Sequence, residues 1–284
     1  MFNEENRMNF KRIALVFAGL MMFAAPMAAA VTVAPSFAEA QDKKAEDYIK
    51  DVNDLKGATE LLVQVDKNHN PYKDQTLTTR MVLNGGTHHD VTYQFKAYSR
   101  DGKRSVRFYA PAEMKGMGVV TKGRDEVYAR LPGSEKARRV GTHSKRQSFY
   151  GSDWIMDDNS MFYYAQDFDV AKIINLNEDG KFITLELKLK ATTDLPYAKL
   201  IVKIRKSIML MEVIEYYGED GKKIKTQERH FDSIKKLTTY DLYTHVTVTD
   251  AATGHRTDNY VEAEEINTNF PDSTFQQRWL TRSI

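Results

Sequence analysis

The chain has 284 residues, 42% hydrophobic and 28% charged, with a formal charge of +2 and no cysteine. That length supports one large core as a single all-β unit. The near-neutral charge argues against a dedicated nucleic-acid binder, and the lack of cysteine excludes disulfides, thiolate catalysis, Cys-ligated zinc and lipidation of an N-terminal cysteine.

At the N-terminus, Arg7, Lys11 and Arg12 precede an apolar run over residues 13–23, and small residues lead on to Ala38-Glu39-Ala40. This pattern predicts a secretory signal over residues 1–40, with a mature domain over residues 41–284 and Met8 as an alternative start. The rival reading is an uncleaved anchor over residues 13–33, if Gly19 and Pro26 are tolerated in a membrane span. Over residues 42–69 the apolar period is helical. Tyr48, Val52 and Leu55 form one set, and Leu61, Leu62 and Val65 another. Two helices broken near Gly57 are expected, with Thr59 as a cap for the second.

Beyond Pro71 the period changes to two. Strands are predicted over residues 77–83, 91–97, 106–110, 118–121 and 125–131. After a central loop they resume over 182–190, 198–206, 209–217, 222–231, 240–249 and 254–264. Their turns are Asn84-Gly85-Gly86, Asp101-Gly102, Asp179-Gly180, Asp220-Gly221 and residues 250–254. The fold class is mainly β: about ten or eleven short antiparallel strands in one strongly curved sheet.

The alternation breaks over residues 138–154, where Gly141, Ser144, Ser148, Gly151 and Ser152 surround Phe149 and Trp154. A solvated loop gains nothing from two large aromatics, so this stretch is expected to be pinned to the core by its rings. On the later strands one face is apolar (Ile183, Leu185, Leu187, Leu200, Val202, Ile204) and the other is polar (Thr184, Glu186, Lys188, Lys199, Lys203, Arg205). A sheet with one apolar side must wrap around its own filling. Two amphipathic helices and one loop are modest filling, which points to an interior cavity for a ligand; a fully packed interior is the alternative.

Four segments of the middle chain resemble the LolA-like outer-membrane lipoprotein-sorting protein family: Pro111-Ala112-Glu113-Met114-Lys115-Gly116, Tyr128-Ala129-Arg130-Leu131-Pro132, Ala137-Arg138-Arg139-Val140, and Arg146-Gln147-Ser148-Phe149-Tyr150-Gly151-Ser152-Asp153. Gly254-His255-Arg256 and the run from Phe275 to Arg282 resemble its closing segment. The sequence departs from the family pattern at Trp154 and over residues 155–159. The resemblance implies a periplasmic half-barrel, an incomplete antiparallel barrel with helices covering the concave face. Its apolar cavity would receive lipid or lipoprotein acyl chains. The partners it implies are an inner-membrane RND-type exporter, an outer-membrane acceptor or both, with no nucleic acid and no cofactor.

On that reading the candidate cavity residues are Leu62, Val65, Met81, Tyr93, Phe95, Met114, Met117, Val119, Phe149, Trp154, Met156 and Phe162. Met161, Met209 and Met211 join them as adaptable side chains. Burying an acyl chain of about fifteen methylenes gains roughly 12 kcal/mol before ordering costs, so release calls for a competing apolar acceptor. Lys115, Lys122, Arg124, Lys136, Arg138, Arg139, Lys145 and Arg146 are dense in the middle of the chain. Arg138, Arg139 and Arg146 are the candidates for anionic head groups or a partner, against a plain solvated hairpin end.

An enzyme is a weaker reading. Ser148 or Ser152 with His143 and Asp153 supplies the residue types of a triad without a nucleophile elbow. The histidines, at 69, 88, 89, 143, 230, 245 and 255, show no metal-ligand spacing. A third reading is a non-enzymatic accessory or scaffold subunit of an RND-type envelope complex with no cargo of its own.

Overall fold

A computed structural model describes residues 43–85, 91–131, 133–236 and 240–282. The expected signal over residues 1–40 and the His88-His89 pair lie outside the described residues. Fifteen strands are described: β1 (Gln75–Asn84), β2 (Val91–Arg100), β3 (Lys103–Ala110), β4 (Gly118–Thr121), β5 (Val127–Arg130), β6 (Arg138–Arg139), β7 (Phe168–Glu178), β8 (Phe182–Leu189), β9 (Lys199–Arg205), β10 (Leu210–Tyr217), β11 (Lys223–Arg229), β12 (Ile234–Lys236), β13 (Asp241–Tyr243), β14 (His245–Asp250) and β15 (Arg256–Ile266). The helices are α1 (Leu55–His69), α2 (Thr142–Lys145) and α3 (Tyr164–Asp167).

Thirteen strands form one open antiparallel sheet in the order β6-β5-β4-β3-β2-β1-β15-β14-β11-β10-β9-β8-β7, and β12 pairs with β13 apart from it. Two meanders therefore meet where β1 pairs with β15 along ten residues of β1. The chain leaves β6 at one edge and re-enters at β7, the opposite edge. Residues 140–167 are the crossover between the two. Both edges are blunted, β6 by its length of two residues and β7 by three register shifts against β8.

The sheet has more strands than the expected ten or eleven, chiefly because β7 was not foreseen. Its inward residues are Phe168, Val170, Ile173 and Leu176, and the bulges stretch their spacing from two to three, which erases the alternation. The strand expected over 240–249 is split into β13 and β14.

A single α-helix replaces the expected pair. Residues 45–48 form only a 3-10 turn, and α1 starts after Asp54, whose carboxylate accepts from Gly57 N at 2.9 Å. Thr59 is not the cap; its hydroxyl donates back to Leu55 O. Gly57 sits inside the helix because a Cβ there would lie 2.1 Å from Tyr48 O. Its absent side chain lets the preceding turn approach. Buried Ala58, Leu61, Leu62, Val65 and Asp66 make one stripe at helical spacing, and it packs on β7 and β10.

Two cores result. In one, the α1 stripe meets Phe168, Ile173, Ile183, Leu185, Leu187, Leu200, Val202, Ile204 and Ile214. In the other, Met81, Phe95, Val106, Phe108, Val119 and Val127 of the first meander are covered by Met114, Met117, Phe149 and Met156. The expectation of only one apolar side holds for β8 and β9, whose opposite face carries Lys203–Glu178 and Lys199–Glu186 pairs. It fails on the first meander. There the C-terminal segment lays Leu280 against Val120 and Ala137 on the opposite face, and Ser105 donates to Thr274 O at 2.8 Å. All four residues of β4 are buried in consequence. Among the described residues, no helix is long and apolar enough to cross a membrane.

Asp66 ties α1 to the crossover: its two oxygens accept from Tyr164 N at 2.9 Å and Ala165 N at 2.8 Å. Burial pushes its carboxyl up to about 6, outweighing those two hydrogen bonds. A raised value in the folded state favours the protonated form, so this contribution to stability is full below about pH 4 and is lost as pH rises through about 6. The stability difference between wild type and Asp66→Asn in denaturant titrations is expected to fall by up to about 3 kcal/mol from pH 4 to pH 7. A difference that stays flat with pH would show that Asp66 carries no such burial cost.

Candidate functional site

The crossover is fixed to the sheet by hydrogen bonds that its motif residues supply. Tyr150 and Gly151 both take positive φ, 53° and 83°, which reverses the chain so that the Phe149 and Tyr150 rings stand at 88° to each other with centroids 5.0 Å apart. The buried Tyr150 hydroxyl lies 3.0 Å from Gly118 O and 2.9 Å from Arg130 O, spanning β4 and β5. Asp153 accepts from His255 Nδ1 at 2.8 Å and from the Thr257 hydroxyl at 2.6 Å, which joins the crossover to β15. Next, Asp158 accepts from Ile155 N, the Tyr197 hydroxyl and Lys225 Nζ, and Arg124 pairs with Asp167. The hydroxyls of Ser148 and Ser152 donate to the carbonyls of Ser152 and Phe149. The histidine facing Asp153 is thus His255, while His143 is exposed on α2.

Between the two cores lies a cavity of about 300 Å³, near the lower end of small-ligand sites. Its apolar wall includes Leu77, Met81, Phe95, Ala97, Val106, Phe149, Trp154, Met161 and Phe162. The remaining lining is mainly polar, apart from Leu242, Val246 and Val261. On β11 the alternation turns Lys225, Gln227 and Arg229 to the covered face, where Lys225 pairs with Asp158 at 2.5 Å and Gln227 accepts from the Tyr216 hydroxyl at 3.2 Å. Arg229 donates to Met211 O. Arg104, on the same face of β3 as Val106 and Phe108, stacks on the Phe162 ring at 4.4 Å. Burial pushes its guanidinium below the ordinary range, yet an arginine remains charged. His69, in the last turn of α1, accepts from Met211 N at 3.1 Å. Burial, helped by the nearby Arg229, holds its imidazole well below the ordinary value, hence neutral.

Of the residues singled out from sequence, Met81, Phe95, Phe149, Trp154 and Phe162 line this cavity. Leu62 and Val65 are fully buried in the α1 core. Met114, Met117, Val119 and Met156 are buried in the other core, and Tyr93 packs against it. Arg138 and Arg139 are exposed on edge strand β6, Arg139 donating to Asp125 O at 2.8 Å. Arg146 pairs with Asp194 at 2.7 Å and borders a second, more open recess of about 570 Å³ between the crossover and the β14–β15 turn. Lys145 is buried beside Asp157 and donates to Arg124 O.

Sequence reading did not bring out His69, Arg104, Gln227, Arg229 or Asn259. The available signal was the alternation itself, which puts Arg104 in register with Val106 and Phe108, and Arg229 in register with Lys225 and Gln227. Nor did it foresee the stack on the opposite face of the sheet, where His230 lies on His245 at 3.9 Å and His245 on Tyr260 at 4.3 Å. His230, His245 and Asp258 bring ligand-type atoms within 4.8 Å of one another. The Asp258 oxygens there already accept from His245, Thr247, Asn84 and Arg256.

A family model described as "-like: Uncharacterized protein" matches residues 100–282, more than half of the chain. Among solved structures, a DUF1329 family protein from Desulfovibrio piger is similar at TM-score 0.72 and 22% identity, covering 80% of this chain and 98% of that one. A domain named for outer membrane lipoprotein sorting from Vibrio parahaemolyticus gives 0.68 and 19%, covering 79% and 100%. A LolA superfamily protein from Nitrosomonas europaea gives 0.65 and 17%, covering 78% and 98%. The chain belongs to the family that this model describes, and it shares its fold with proteins of the LolA superfamily. At these identities the likeness to the solved proteins is one of fold. No curated protein matches the chain. Within the family match fall the crossover motif and the closing segment, the two stretches that brace the first meander from opposite faces.

Replacing Asp153 by Ala leaves His255 and Thr257 without their acceptor. This is expected to cost about 1–3 kcal/mol in chemical denaturation and to speed amide hydrogen exchange over residues 148–155 more than in β8 and β9. Uniform exchange across both meanders would contradict this local role.

Proposed function

We propose that the chain is a periplasmic carrier in which the sheet curls into a half-barrel under α1 and the crossover, and the cavity between them shields lipid or lipoprotein acyl chains. The observation that carries this reading is the cavity at the junction of two otherwise packed cores, with Met81, Phe95, Ala97, Phe149 and Phe162 on its apolar wall. Two methionines, Met81 and Met161, sit on that wall, and their unbranched chains can follow cargo of varied shape. Family membership and the names of the solved relatives support the same reading. The chemistry asked of the protein is sequestration: no bond is made or broken, and each buried methylene contributes about 0.8 kcal/mol. An inner-membrane RND-type exporter, an outer-membrane acceptor or both would then receive the cargo, because a chain held this way leaves fastest toward another apolar site. Arg138 and Arg139, exposed on edge strand β6, are the proposed docking residues, and Arg146 at the second recess the proposed contact for a partner or head group.

A second reading, an accessory or scaffold subunit of an RND-type complex, is favoured by the packing of Leu62, Val65, Met114, Met117, Val119 and Met156 within the cores rather than on the cavity. The two separate by titration. Purified protein is expected to bind a fluorescent fatty acid and release it to an unlabelled competitor. Ala97→Trp, which fills the cavity at an overpacking cost of about 1–3 kcal/mol, is expected to weaken that binding at least tenfold while the protein remains folded by circular dichroism. Wild-type protein that binds no fatty acid and yields no lipid on extraction would favour the scaffold.

A further inference from the structure

Interior cations in this protein are usually neutralised. Lys225 meets Asp158, Arg124 meets Asp167, and Arg100 meets the fully buried Asp74. Arg104 and Arg229 differ. Both line the cavity, and among the described residues neither forms an ion pair. Arg104 has the Ser99 hydroxyl at 3.4 Å and the Phe162 ring; Arg229 has Met211 O at 3.1 Å. Among the described residues one carboxylate lines the cavity, that of Asp158, and Lys225 already holds it. His69 beside Arg229 is neutral and turns its Nε2 to a backbone amide. The cavity therefore carries two uncompensated guanidinium groups against one apolar wall. Each has spare N–H donors in the planar fork that matches an oxyanion.

Holding two such cations in a partly dry interior is costly unless an anion joins them. The same lining contains Asn259, whose buried Oδ1 has no hydrogen-bond partner among the described residues; an amide can present either its oxygen or its nitrogen to a head group. Volume narrows the choice further. About 300 Å³ is small for a ligand site and suits one chain with a compact head rather than several chains together.

We infer that the cavity is selective for a single-chain amphiphile with an anionic head group, a carboxylate or a phosphate monoester, held by Arg104 and Arg229 with its hydrocarbon along Met81, Phe95 and Phe162. This inference rests on the carrier reading and specifies its cargo class. It arises from alternation: a strand that must face a core at every second residue presents arginine there instead, once on β3 and once on β11.

The test compares ligands of one chain length that differ only at the head: oleate, oleoyl lysophosphatidate and the neutral oleyl alcohol, each titrated into wild type, R104Q, R229Q, the double variant, and R104K with R229K. Wild type is expected to hold at least one of the anions about tenfold or more tighter than the alcohol; which anion binds more tightly identifies the head group. The anion-to-alcohol ratio is expected to fall toward one in the double glutamine variant and to recover in part in the lysine variant. Equal wild-type affinity for all three would overturn the anion selectivity while leaving the carrier reading intact. Failure of all three to bind would overturn both. Anion preference retained in the double glutamine variant would move the head-group site away from these arginines.

Discussion

The constraint on which the rest of the structure depends is the crossover from β6 to β7. A chain that ends one meander at one edge of a thirteen-stranded sheet and begins the next at the other edge has to travel across the sheet. Residues 140–167 do so over the covered face, and they must satisfy their own backbone while they are there. Tyr150, Asp153 and Asp158 provide the attachments on one side and Asp66 on the other. The crossover thereby supplies Phe149 and Met156 to one core and Tyr164 to the second, and the cavity is the space between the two sets of contacts.

The polarity of that space follows from the same arrangement. β11 lies in the second meander beside β14, and its inward row of Lys225, Gln227 and Arg229 would be unfavourable in either core. The row is tolerated because Asp158 of the crossover meets Lys225, Tyr216 meets Gln227 and the cavity meets Arg229. An apolar wall from β1 to β3 thus faces a polar floor. A purely hydrocarbon cargo would leave the floor without partners, and a purely polar one would gain nothing from the wall. An amphiphile uses both.

Much of this was legible in the sequence. Period-two runs with Asp-Gly turns marked most of the strands, and the aromatic, glycine-containing stretch over residues 138–154 marked the pinned loop, because each signal is local. What escaped notice was non-local or disguised. β7 hides behind bulges that give Phe168, Val170, Ile173 and Leu176 an almost helical spacing. Gly57 reads as a helix breaker when its role is contact with Tyr48 O. The burial of Val120 depends on Leu280, which is far away in the chain. Methionine and aromatic content could not say which apolar residues face a cavity: Met81 does and Met117 does not, although both are buried. Arg104 and Arg229 stand in register with inward residues of β3 and β11, but their meaning depends on having no ion-pair partner among the described residues, which only the assembled fold reveals.

The central claim is that a hydrocarbon chain occupies the gap between the two cores. The most direct measurement is a crystal structure of the protein with a terminally brominated fatty acid, in which anomalous scattering locates the bromine without reference to weak lipid density. The expected result is a bromine peak within the apolar wall formed by Met81, Phe95, Phe149 and Phe162, with the carboxylate toward Arg104 and Arg229. A peak confined to the opposite face of the sheet, or to the recess beside Arg146 and His255, would contradict the claim.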